Sequence, residues 1–137
     1  MGLFSQFRVR SRDRDGKTDR VRLRRLEEMV ETLLKDVEGE RAGLSTRYEE
    51  ASDEAAFAQA AYEDGRADAD TSRRIDTLTN DIVRCNERLN ELGFQIVMID
   101  RIRAEIAGYH AKIERQRESE TTETVEILAE PRSRTGS

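Results

Sequence analysis

From Ile75 to Ile113 the chain keeps one spacing: apolar residues stand at Ile75, Leu78, Ile82, Cys85, Leu89, Leu92, Ile96, Ile99, Ile106 and Ile113, interrupted by Arg103 and His110. Alternating steps of three and four, held over five heptads, place one apolar seam along a helix and specify a coiled coil. An earlier segment begins in the same way, with Leu23, Leu26, Val30, Leu33 and Val37, and continues through Leu44, Tyr48, Ala51, Ala55, Ala58 and Tyr62. Its later spacing reads closer to about 3.67 residues per turn than to 3.5, which predicts a straight or weakly coiled helix towards its end.

The bridge between the segments, Glu63 to Ser72, carries the signals of a reversal. Gly65 suits the left-handed residue that follows a helix, and Asp70, Thr71 or Ser72 can each cap the start of the next. The heptad phase also breaks, because Leu23 and Ile75 are separated by seven heptads and three residues. The expected fold is therefore all-α, two long helices forming an antiparallel coiled-coil hairpin with flexible termini. The expected boundaries are a basic tail at 1–17, a hairpin at 18–118 (helices about 18–64 and 72–118, turn 65–71) and an acidic tail at 119–137.

Composition agrees with helices and excludes several classes. Charged residues make up 39% of the 137, with one Pro, no Trp and eight Gly, too little turn punctuation for a sandwich, barrel or βαβ domain. No stretch approaches the roughly 20 apolar residues of a membrane span, and the opening residues do not form a signal peptide. One Cys and one His make neither a disulfide framework nor a zinc site, so no cofactor or metal is expected. The expectation is a soluble cytoplasmic protein, with a peripheral position at the inner membrane as the variant. The excess of Arg over Lys, 21 to 3, points to a GC-rich bacterial genome.

The net charge of −5 is segregated: +6 over residues 1–25, −10 over 26–71, +2 over 72–117 and −3 beyond. The two helical segments thus differ in sign and attract when side by side, although exposed pairs each add little. A turn centred near residue 68 or 69 sets residue i opposite about 137 − i, so Gly39 and Gly43 fall opposite Met98 and Phe94. Glycine there would admit the larger side chain, and Gly43→Leu is expected to overpack the hairpin. Arg103 falls beside Leu34 near Glu31 and Glu38, where an interior Arg paired with a carboxylate fixes register. His110 is expected to pair with Glu27 or Glu28, and Cys85 to act as a small buried hydrophobe.

Catalytic constellations do not assemble. Cys85 and His110 are 25 residues apart, roughly 37 Å along a helix. Gly16-Lys17-Thr18 imitates the end of a phosphate loop, but Ser11 stands where the first glycine belongs. Read as a calcium loop, the same region would put Arg22 at the bidentate position. Asp64, Asp68 and Asp70 read as caps and solvated turn residues rather than cation ligands. Gln6 occupies the place a myristoylation signal reserves for Ser or Thr.

What remains is surface. The run around Phe94, Val97, Met98, Ile102, Ile106 and Tyr109 is apolar on more than one helix face, so a two-helix hairpin leaves part of it uncovered. These six residues form the expected partner interface, with a homodimer or a helical protein as the partner. Leu3, Phe4 and Phe7 beside Arg8, Arg10 and Arg12 make a second candidate contact, for an anionic membrane surface or a peptide groove. Nucleic acid is the least favoured partner, because the arginine tail alone would have to bind it. The segment Thr121 to Pro131 is β-prone and acidic and is expected to be disordered. The leading expectation is a non-enzymatic coiled-coil interaction protein acting as an adaptor, scaffold or chaperone-like escort, ahead of a peripheral membrane protein. In size and hairpin architecture the chain resembles the small coiled-coil stalk and escort proteins of bacterial flagellar and type III export systems.

Overall fold

The computed structural model describes residues 12–66 and 68–129 with their side chains and residues 2–11 by their helical backbone. Two helices account for almost all of it: α1 spans Gly2–Glu63 and α2 spans Ala69–Ala129. They pack against each other as an all-α helical hairpin, with no strand among the described residues. The chain divides into two compact units, each containing part of both helices. The turn unit is Glu28–Arg101, and the end unit combines Met1–Glu27 with Ile102–Ser137.

The reversal is built from local chemistry. Gly65 adopts φ 70°, the left-handed conformation that costs a residue without Cβ least. Its N–H donates to Tyr62 O at 3.1 Å while the Arg66 N–H donates to Ala61 O at 3.1 Å, the paired bonds of a Schellman cap. The cap of α2 is Asp68, not Asp70, Thr71 or Ser72. Its Oδ1 accepts the Thr71 N–H and the Thr71 hydroxyl, both at 3.0 Å. An N-cap carboxylate satisfies amide groups that a helix start leaves open, so the first aspartate after the glycine takes the role. The turn is consequently centred near residue 66, and each residue meets α2 about five positions earlier than the rule of 137 supposes.

Both helices run beyond the expected bounds of 18 and 118. Residues 12–17 belong to α1, where Lys17 and Asp13 form an i,i+4 pair at 3.7 Å. The Thr-rich stretch after residue 118, expected to be disordered and β-prone, is helical to Ala129. Its hydroxyls return to the backbone four residues earlier: Thr121 to Arg117 O at 2.8 Å, Thr122 to Glu118 O at 2.9 Å and Thr124 to Glu120 O at 2.8 Å. That bonding lets β-branched threonine occupy a helix.

Within the turn unit the buried residues are Val30, Leu34 and Ala58 on α1 and Leu78, Leu92 and Ile99 on α2. Near the turn the seam divides the labour, with small residues such as Ala58 on α1 and bulky ones such as Leu78 on α2. In the end unit Ile106 is buried, with Leu23, Glu27, His110 and Ile113 half-buried around it. The seam of α1 keeps a strict heptad, contrary to the expected drift. It runs through Leu23, Glu27, Val30, Leu34, Val37, Leu44, Tyr48, Ala51, Ala55 and Ala58, while Leu26 and Leu33 are exposed. The apparent drift came from assigning those two leucines to the seam, one position away from their neighbours Glu27 and Leu34.

Three expected register residues lie on the surface. Gly39 and Gly43 are exposed, and a Cβ on either would have nothing within 4 Å, so they do not make room for Met98 and Phe94. Arg103 occupies a seam position but is exposed, not an interior charge. Gly39→Ala and Gly43→Ala are each expected to stabilise the hairpin by about 1 kcal/mol, the helix-propensity difference. Gly43→Leu is expected to raise the melting temperature as well, reversing the overpacking expectation. Circular-dichroism melts check all three.

Asp68 supplies a pH prediction. The Thr71 N–H, and after it the Thr71 hydroxyl, hold the Asp68 carboxyl below its ordinary value of 3.8. A depressed carboxyl stabilises the fold above the unfolded-state value and loses that contribution as pH falls through the folded-state value. The gap in melting temperature between the native chain and Asp68→Ala should therefore be constant above about pH 5 and close as the pH drops below 3.8.

Candidate interaction surface

Lettering the heptad with a and d on the seam puts Leu34, Tyr48 and Ala55 at a on α1, and Ile75, Ile82, Leu89 and Ile96 at a on α2. The residue before each a is a g position, and in the turn unit these positions meet across the helices. Arg88 donates to Glu40 from Nε at 2.9 Å and from Nη2 at 3.3 Å, and Arg74 pairs with Glu54. All four are g residues, which gives the g edge of this unit two ion pairs beside the exposed Leu33. The Glu40 and Glu91 carboxylates hold the Arg88 guanidinium pKa above its ordinary value, first through the hydrogen bonds to Glu40. These exposed pairs fix alignment more than they add stability.

The turn unit also holds three of the expected interface residues. Phe94, Val97 and Met98 are all exposed, Phe94 by 77%, and they lie at f, b and c, away from the seam. Two exposed residues of α1 in this unit, Met29 and Leu33, were missed as surface residues. Strict extension of the Val30, Leu34, Val37, Leu44, Tyr48 spacing would have found them. Nearer the turn Phe57 is 82% exposed, at a c position.

In the end unit the expected interface divides. Ile106 is buried inside the hairpin and leaves the surface set, whereas Ile102 and Tyr109 are exposed g residues. Leu26, a g residue of α1 in this unit, is exposed as well. His110 Nδ1 lies 3.7 Å from Glu27 Oε1 and its Nε2 4.0 Å from Glu114 Oε1, so the expected pairing with Glu27 forms across the seam. Cys85, in the turn unit, is half-buried on the seam with its thiol free.

Beyond Ile113 the seam changes character. Its a and d positions are taken by Gly16 and Arg20 on α1 and by Arg117, Glu120 and Thr124 on α2, and an open groove of about 550 Å³ lies between the helices there. Small and charged residues do not interdigitate as leucines do, which leaves the space. Arg12 lines this groove and is exposed; the side chains of Leu3, Phe4, Phe7, Arg8 and Arg10 lie outside the described residues. Among the described residues no helix is long and apolar enough to cross a membrane, and no group of three or more His, Cys, Asp and Glu is placed to hold a metal ion.

No protein-family model matches the chain, and no curated protein or solved structure matches it.

Leu92 and Phe94 give a direct check on which apolar residues belong to the hairpin. Leu92, with no exposed surface, should cost about 2–5 kcal/mol when truncated to Ala, by lost burial and the cavity left behind. Phe94→Ala should change stability by less than about 0.5 kcal/mol. Urea unfolding of the two variants measures the difference.

Proposed function

We propose that the chain is a non-enzymatic protein-interaction module, a helical hairpin that serves as an adaptor, scaffold or escort by pairing with another helical surface. A second copy of the chain is the first such partner. One observation carries this reading. Among the described residues only Leu92 is buried to below 2% exposure, while Leu26, Met29, Leu33, Phe94, Val97, Met98, Ile102 and Tyr109 all keep at least 41% of their surface in water. A two-helix hairpin covers each seam residue from one side, and helical proteins of this kind close their cores with further helices. The separated charges add a means of choosing the partner, since complementary potentials steer and align helices more than they bind them. The groove near Ile113 is open and bordered by arginine, glutamate and threonine, a setting that suits a protein contact better than the water-excluding pocket chemistry requires.

Light scattering of the purified chain tests the reading. A mass about twice 15.8 kDa at micromolar concentration, together with a melting temperature that rises with concentration, is the expected outcome. A monomer that melts at one temperature over a hundredfold concentration range and binds no apolar dye would sink it.

A further inference from the structure

We infer that a second copy crosses the outer face of α2 at Phe94, antiparallel and about a two-fold axis, so that Glu87 of each chain meets Arg101 of the other. The inference rests on the self-association reading and adds the surface and the arrangement.

Three f residues of the turn unit carry it. Glu87, Phe94 and Arg101 stand seven apart on α2 and share one line along the helix, away from the seam. Seven residues rise about 10 Å, so the carboxylate and the guanidinium lie equally far to either side of the ring. All three are exposed, Phe94 by 77%, and Val97 and Met98 extend the apolar surface beside it. Neither charge is engaged within its own chain: among the described residues the ion pairs of this stretch join Arg88 to Glu40 and to Glu91, leaving Glu87 and Arg101 out.

A line that reads acid, ring, base from one end reads base, ring, acid from the other. It therefore complements a copy of itself only when that copy runs the opposite way. Antiparallel contact lays ring against ring, where offset stacking adds to burial, and sets both charge pairs right. Parallel contact would put Glu87 on Glu87 and Arg101 on Arg101. Self-complementarity is what a two-fold interface requires, and it selects a second copy over an unrelated helix. Among the exposed aromatic residues described, Phe94 alone has this bracket: seven residues to either side Phe57 has Glu50 and Asp64, Tyr62 has Ala55 and Ala69, and Tyr109 has Ile102 and Gln116. Val21 and Met29 of α1 have opposite charges at that spacing, but Val21 is small and the Arg22 that precedes Met29 already bonds Asp19 at 3.3 Å. Helices crossing at one ring bury less than a standard interface, so the dimer is weak and the charges decide its geometry.

Sedimentation and light scattering of full-length variants test it, with circular dichroism to verify folding. Glu87→Arg and Arg101→Glu are each expected to weaken dimerisation at least tenfold, since either change sets like charges together on both sides of the ring. The chain carrying both changes should dimerise as the native one does, and an equal mixture of the two single variants should form a mixed dimer at least tenfold tighter than either alone. Phe94→Ala should weaken dimerisation at least tenfold and, in urea at concentrations where the chain is dissociated, leave the hairpin's own stability as it was. A double variant no tighter than the single ones, or a dimer that survives Phe94→Ala, would overturn this face while leaving self-association standing. A native chain that stays monomeric at high concentration would overturn self-association itself and this arrangement with it.

Discussion

Two helices side by side share one seam, and that limit governs the rest of the molecule. Each seam residue is covered by the facing helix and by its own neighbours three and four positions away, while the side turned outward stays wet. Among the described residues only Leu92 escapes this geometry completely; Val30, Leu34, Leu78, Ile99 and Ile106 retain between 6% and 9% of their surface. Stability is consequently spread along the seam in small portions, and no single centre holds the fold. The alanines at 51, 55 and 58 belong to this economy of space: near the turn α1 offers little side-chain volume, and the branched residues of α2 supply most of the apolar surface of the seam there.

Because the seam is distributed, the turn has to set the register. The Schellman bonds at Ala61 and Tyr62, the left-handed Gly65 and the Asp68 cap occupy a handful of residues. They decide which of the many equivalent leucine layers meet. The ion pairs Glu54 with Arg74 and Glu40 with Arg88 repeat the instruction farther along the turn unit. A hairpin slipped by one heptad would keep most apolar overlaps but would separate these partners. Their value is in excluding alternatives, a role exposed charges fill even when each contributes little energy.

The seam of α2 was legible in the sequence because large apolar residues fill nearly every a and d position from Ile75 to Ile99. The seam of α1 was ambiguous for a specific reason. Leu33 and Leu34 are adjacent, and one heptad earlier Leu26 is more apolar than Glu27, so hydrophobicity alone cannot choose within the first pair and favours the wrong member of the second. Glu27 holds the seam position because His110 meets it from α2, an interaction that lies 83 residues away along the chain. The glycines were misplaced for another reason, because a rule of levels says nothing about helix face: with Val37 at d, Gly39 and Gly43 fall at f and c, on open surface. The extent of the helices was hidden differently, since threonine's preference for strands says nothing about its hydroxyl bonding the carbonyl four residues back. The exposed apolar surface was half legible, Phe94, Val97, Met98, Ile102 and Tyr109 being named from α2 while Leu26 was lost to the seam.

The end unit poses the sharper physical question. Past Ile113 its seam positions are glycine, arginine, glutamate and threonine, yet α1 runs from Gly2 and α2 runs to Ala129. Local pairs such as Lys17 with Asp13 and Arg22 with Asp19 support such helices only weakly. Long helices in water draw most of their stability from burying an apolar face, and this stretch has little seam of its own to bury. What it does have is the flank at Leu26, Ile102 and Tyr109, directly before the seam turns polar. On the proposed self-association a second hairpin brings two more helices alongside the first, so association and the persistence of the helical ends become one equilibrium. Binding that selects the fully helical state stabilises it by mass action. The sequence can then leave the seam polar at this end while association supplies the burial that the seam does not.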